Sequence, residues 1–226
     1  MDWSERQASA ERAHIARTEA TADGAREDLR LAGIAGASWA AGLAALMARH
    51  DEDGSRLLGR AADEYVTSWQ AAPPGSWGRP IAALRCRLMA GDLDRARDDA
   101  EAALVEGARD GSGPIAAYCA ALALLVLGHD DEAAEHAGRA LDEGLEPAAV
   151  AEALVALARH DGDAFAEARR GVLRSFEERD AFLEDVPVAD TVLVLDELAR
   201  SREMTVEPLA SLLLPGSVPG SRPEED

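Results

Sequence analysis

Lysine and asparagine are absent from this chain; all 23 of its permanently cationic side chains are Arg. Both missing residues have A-rich codons, so the gap points to a G+C-rich bacterial genome. It also removes chemistry. Without Lys there is no Walker-type phosphate loop, no Schiff base or lysine nucleophile, and no kinase-type catalytic lysine. Aromatic residues make up only 4% of the chain, and Ile occurs only at Ile15, Ile34, Ile81 and Ile115. Strands favour β-branched and aromatic side chains, so a sheet has little to build from. Cysteine is limited to Cys86 and Cys119, each inside an apolar stretch. That is not a disulfide framework, and it fits a reducing cytoplasm. The longest apolar run, Ile115 to Leu127, falls short of the roughly 20 residues that cross a bilayer. Residues 1–30 carry charge throughout and hold no apolar signal region. Positive charge is scarce, and the net formal charge is −20. Nucleic acid and anionic membranes both attract cationic surfaces, so neither is an expected partner. A basic protein would be drawn in and steered.

Ala and Leu dominate what remains, and both are strong helix formers. The expected fold class is therefore all-α. Ser4 with Gln7 has the spacing of a capping box and opens a first helix, ending near Ala22 or as late as Leu31. A second, tightly packed helix covers Gly33 to Ala48, where Gly33, Gly36 and Gly42 permit close backbone contact and a bend near Gly36. Asp51 to Gly54 reads as a turn, and Ser55 to Gln70 as a third helix. The run Ala72-Pro73-Pro74-Gly75-Ser76-Trp77-Gly78 is a loop that divides an N-terminal helical layer (1–71) from a region of repeats.

Residues 79–214 make up that region. Pro80, Pro114 and Pro147 stand 34 and 33 residues apart, each opening an apolar stretch that ends in a polar turn. After the turn comes a second helix with one apolar line: Ala96, Ala100 and Leu104, then Ala133, Ala137 and Leu141, then Ala164, Ala168 and Val172. In the third copy Arg159 replaces the turn glycine. Pro114 to Leu127 is apolar nearly all round, so it belongs between neighbouring helices. The second helix of the third copy is expected to run from Asp163 to about Phe182. A break comes next at Glu184-Asp185-Val186-Pro187, then a last helix from Val188 to Ser201 and a short helical turn from Pro208 to Leu214. Residues 215–226 read as a disordered tail.

Helix, Gly/Asp turn, small-residue helix at a period near 34 is the pattern of a stacked hairpin repeat. The segments Leu88-Met89-Ala90-Gly91-Asp92 with Ala96 and Ala100, and Leu127-Gly128-His129-Asp130 with Ala133 and Ala137, resemble tetratricopeptide repeats over roughly residues 79–182. The Trp and Tyr hallmarks of that family's first helix are missing. The resemblance implies a tetratricopeptide-like α-solenoid of antiparallel helix pairs that binds peptides or proteins on a concave face. The run from Asp163-Ala164-Phe165 to Leu214-Pro215 also resembles helical immunity proteins of bacterial toxin systems.

Candidate chemistry is thin. His129, Glu132 and His136 could share a helical face and hold a metal, but acidic residues after a turn more simply cap a helix. Asp51 to Gly54 lacks the spacing of a calcium loop. Glu177, Glu178, Asp180, Glu184 and Asp185 surround Arg179 and read as a solvated helix end. Neither Cys has a His nearby in sequence, and no Gly-x-Ser-x-Gly elbow occurs. No cofactor is implied. The binding candidates are Arg85, Tyr118 and Glu152, near equivalent positions of the repeat's first helices, with Trp77 at the rim. Trp39 and Trp69 are expected to pack in the interior. The leading expectation is a non-enzymatic adaptor that binds another protein or peptide. The alternatives are an immunity protein with an acidic surface and a helical enzyme or ligand-binding domain.

Overall fold

The computed structural model of the protein describes residues 2–20 and 26–216. Among these all regular structure is helical, with no strand: α1 (Trp3–Glu19), α2 (Glu27–Met47), α3 (Asp51–Gln70), α4 (Gly78–Ala90), α5 (Leu93–Val105), α6 (Pro114–Leu127), α7 (Asp130–Asp142), α8 (Ala148–Ala158), α9 (Gly162–Glu177) and α10 (Asp190–Arg200). Each helix from α1 to α9 packs on its neighbour in sequence, and the end of α9 leads into α10 through a loop.

The repeat turns work by left-handed backbone. Gly91 (φ 74°) and Gly128 (φ 77°) end α4 and α6, a conformation that glycine adopts without a Cβ clash. In the third copy Arg159 stays right-handed and His160 takes the left-handed position (φ 52°). The three prolines begin the first helices at slightly different registers: Pro80 in the first turn of α4, Pro114 as the first residue of α6, Pro147 as the N-cap of α8. None sits where a helical N–H would be needed. The apolar lines of the second helices face inward at Ala96, Ala100, Ala133, Ala137, Ala168 and Val172, while Ala164 is exposed and Phe165 is buried beside it. α6 is buried from Ala116 through Leu125, as an evenly apolar helix requires.

Several boundaries differ from the sequence expectation. The cap of α1 is Asp2, whose carboxylate accepts from the Glu5 N–H at 3.1 Å, and not Ser4. Gln7 instead donates to Glu11. α1 stops at Glu19 and a separate helix begins at Glu27, so the extension to Leu31 does not occur. Asp51 to Gly54 is no turn but the first turn of α3, where three carboxylates sit favourably at the positive end of the helix dipole. α9 ends at Glu177, short of Phe182. Six residues apart on one helix, the Phe176 and Phe182 rings would point in different directions. Leaving the helix brings their centroids to 6.5 Å. Pro208 to Leu214 holds no helix. Pro215 and Gly216 are placed against the fold, and the rest of the expected tail lies outside the described residues.

The first helices α4, α6 and α8 touch one another in a row, and α10 lies against α4, α8 and α9. Val192, Leu195, Leu198 and Ala199 of α10 are almost fully enclosed in the main core. Ion pairs fix it along its length. At its start, Arg85 Nη2 reaches Asp190 Oδ2 at 2.5 Å. At its middle, Arg169 forks onto both oxygens of Asp196 and also donates to the Glu207 carbonyl at 2.8 Å. Beyond its end, Arg202 holds Asp130 at 2.5 Å and the Leu125 carbonyl at 2.7 Å. A second core joins α2, α3 and α4 with Val186 and Val188 from the loop before α10. Among the described helices α2 alone has the length and mean hydropathy (1.4) to cross a bilayer, and 67% of that window is buried inside the fold.

Candidate functional site

Where the two cores meet, the packing leaves a cavity of about 200 Å³. Trp39 of α2, Tyr65 of α3, and Ala82 and Arg85 of α4 form one wall. Phe176, Arg179, Phe182, Leu183, Val186 and Val188 form the other, and Asp190 and Thr191 of α10 close the floor. Its position comes from the chain path after α9. Glu184 (φ 52°) and Asp185 (φ 55°) are consecutive left-handed residues with side chains, a conformation that costs roughly 1–2 kcal/mol each. They reverse the chain so that Val186 and Val188, each 2% exposed, turn inward. Arg17 holds this reversal, donating to both oxygens of Glu184 at 2.8 and 2.9 Å and to the Gly33 carbonyl at 2.6 Å. Gly36 lets the carboxylate come close to α2, since a Cβ there would stand 3.2 Å from Glu184 Oε1.

The polar floor is paired at Arg85 Nη2. Arg85 donates to Thr191 Oγ1 at 3.0 Å in addition to its pair with Asp190, while its buried Nε has no hydrogen-bond partner. Burial works against the Arg85 charge, but Asp190 and the nearby Tyr118, Cys86 and Tyr65 outweigh it, and the guanidinium pKa is held above its ordinary value. Burial raises the Tyr65 phenol. The same cause pushes the Cys86 and Cys119 thiols up to about 12, so neither supplies a thiolate near neutral pH. Arg179 lies outside this network. Its guanidinium carbon stacks 3.7 Å from the centroid of the Phe176 ring, and no described carboxylate pairs with it. The cavity can thus enclose an apolar or aromatic group against rings, with a neutralised polar floor that orients it.

The sequence candidates are scattered. Arg85 reaches the cavity. Tyr118 is buried in α6 within electrostatic range of Arg85, its phenol raised by burial, and it does not line the cavity. Trp77 caps α4 and packs its indole over Gly111, where a Cβ would come within 3.1 Å of Nε1. Glu152 is exposed on α8 beside a separate hollow with Val155 and Arg159. Trp39 and Tyr65, which belong to the interior, show an edge to the cavity. Asp190 and Thr191 escape sequence reading because nothing local marks them; only the return of α10 onto α4 brings them to Arg85. Among the described residues no three His, Cys, Asp or Glu side chains converge to hold a metal ion. His129 stands 4.0 Å from Glu132, and His160 pairs with Asp130 at 3.0 Å.

Compared with family models, curated proteins and solved structures, the chain matches none.

Proposed function

We propose that this protein is a non-enzymatic binding module, a tetratricopeptide-like pile of antiparallel helix pairs that holds a segment of another protein. The observation that carries this reading is the aromatic-walled cavity between the two cores. In a stack of hairpins the first helices present the inner face. Here α10 already lies on α4 and α8, so the inner face is occupied by the chain itself. Recognition moves to the mouth beside the start of α10, where Trp39, Tyr65, Phe176 and Phe182 converge. Buried aromatic pockets of this kind receive the anchor side chains that dominate protein interfaces. The acidic balance of the chain favours a basic partner, and a toxin is one such partner.

Ala82 stands on the cavity wall and is half-buried, one helical turn before Arg85, so Ala82→Trp fills the space. Wild-type protein isolated from native lysate is expected to carry a partner protein through gel filtration, and A82W is expected to lose it with an unchanged circular dichroism spectrum and melting curve. Equal retention by both forms would refute the assignment. A second reading, a helical ligand-binding domain, is favoured by the convergence of Arg85, Asp190, Thr191 and Tyr65 on the cavity. Native mass spectrometry separates the two: a small adduct of constant mass, lost in A82W, supports the ligand.

A further inference from the structure

We infer, resting on the binding-module reading, that the cavity is one lobe of a two-lobed groove whose occupant is a short peptide segment with two large apolar side chains beside Arg or Lys. The second lobe is a hollow of about 280 Å³ lined by Phe176, Glu177, Arg179, Phe182, Ser211, Leu212 and Leu213. The two lobes share Phe176, Arg179 and Phe182, so the tilted ring pair with its stacked guanidinium is the divider between them. On either side stands an apolar side chain open to water: Leu183 at 65% exposure, Leu212 at 68%. A lone exposed Leu needs no explanation. Two that flank one aromatic divider, each lining its own hollow, place exposed apolar contacts on both sides of the ring pair.

Charge selects the occupant. Glu177 lines the second lobe, and Glu178, Asp180 and Asp185 are exposed on the same segment as Arg179. Arg6 also reaches that segment, donating to the Asp185 carbonyl. Glu184 is excluded from this field because Arg17 already neutralises it. Arg179 stacks on Phe176, where it widens the floor, and no described carboxylate pairs with it. A segment entering this rim meets a negative field over an apolar base. Arg or Lys next to its anchors is attracted, and Asp or Glu is repelled.

The test uses fluorescence anisotropy with the full chain and two fluorescein-labelled peptide pools. Both fix two Leu or Phe anchors three or four positions apart. One carries Arg at the flanking positions and the other Glu. The Arg pool is expected to bind, more weakly as salt rises, and the Glu pool is expected to bind at least about tenfold more weakly, a difference of roughly 1.4 kcal/mol. The double substitution Leu183→Asp with Leu212→Asp should cost the Arg pool at least about tenfold, as should Glu178→Arg with Asp180→Arg. All four positions lie on the surface, so unchanged melting curves exclude unfolding. Val105→Asp, at the isolated and 85% exposed position on α5, should change nothing. Equal binding of the two pools, or an L183D/L212D protein with wild-type affinity, overturns the groove. If A82W sheds a cellular partner that L183D/L212D retains, the groove fails while the binding module stands. If A82W and wild type behave alike toward lysate, the module itself fails.

Discussion

At the α2–α3 interface two glycines interlock with two leucines. A Cβ on Gly42 would fall 2.7 Å from Leu58 Cγ and 3.1 Å from the Leu58 backbone nitrogen, and a Cβ on Gly54 would fall 2.5 Å from Leu46 Cδ2. Each helix thus offers a glycine to the leucine four residues along from its partner's glycine. Leu58 is fully buried and cannot swing away. Helix propensity alone says Gly→Ala should stabilise a helix interior by about 1 kcal/mol. At Gly42 the collision wins, since overpacking a tight core costs about 1–3 kcal/mol. Gly42→Ala is therefore expected to lower stability in urea melts, whereas Gly59→Ala, with nothing within 4 Å of the added methyl, should raise it by a few tenths to about 1 kcal/mol. If both substitutions shift the midpoint the same way, the interlock is not what holds these helices at close range. The sequence signals half of this, because Gly42 within an Ala-rich apolar helix asks for a near neighbour, whereas Gly54 reads there as part of a turn. Which glycine meets which leucine depends on helix register, and that is set across two elements.

Among the elements, α10 is expected from the sequence as a helix over Val188 to Ser201, but its place in the fold is not apparent there. The helices from α4 to α9 are legible because their signals are local: a proline near the start of α4, α6 and α8, left-handed glycines after α4 and α6, and a line of small apolar residues in α5, α7 and α9. The place of α10 is not local. Arg85 and Asp190, Arg169 and Asp196, and Arg202 and Asp130 are joined only by the fold, and no spacing in the chain foretells them. The candidate site is half-visible for the same reason. Arg85 can be picked out by its place after a repeat proline, but its partners arrive with α10, and the Phe182 side of the cavity depends on α9 ending early. The pair at the middle of α10 is the most enclosed, with the Arg169 side chain 6% and the Asp196 side chain 10% exposed. Removing one member of a buried pair leaves an uncompensated charge and costs about 3–5 kcal/mol, while replacing both by apolar residues of similar size is often neutral. Arg169→Met should thus destabilise the protein by about that amount in denaturant melts, and Arg169→Met with Asp196→Leu should recover most of it. A double variant no better than the single one would mean that the Glu207 carbonyl, which Arg169 also satisfies, matters more than the ionic contact.

For the whole molecule the governing quantity is the net charge of −20, unevenly met by Arg. Many of the guanidiniums are spent on pairs inside or across the fold, such as Arg87 with Asp63 and Asp99, and Arg17 with Glu184. The remaining carboxylates, among them the exposed Asp98, Glu101 and Glu135, repel one another across the surface. Folding gathers that charge into a small volume, so self-repulsion opposes the compact state. Salt shortens its range from about 30 Å at 0.01 M to about 3 Å at 1 M. It screens surface ion pairs as well, but these contribute little, roughly 0–1 kcal/mol each. The enclosed pairs at α10 are shielded from it. Screening of the repulsion should therefore win, and the melting temperature is expected to rise with sodium chloride between about 0.01 and 0.5 M, steeply at first and then level. Sodium and potassium chloride should act alike if screening is the cause. A melting temperature that falls over the same range would show that surface ion pairing, not surplus negative charge, sets the stability of this fold.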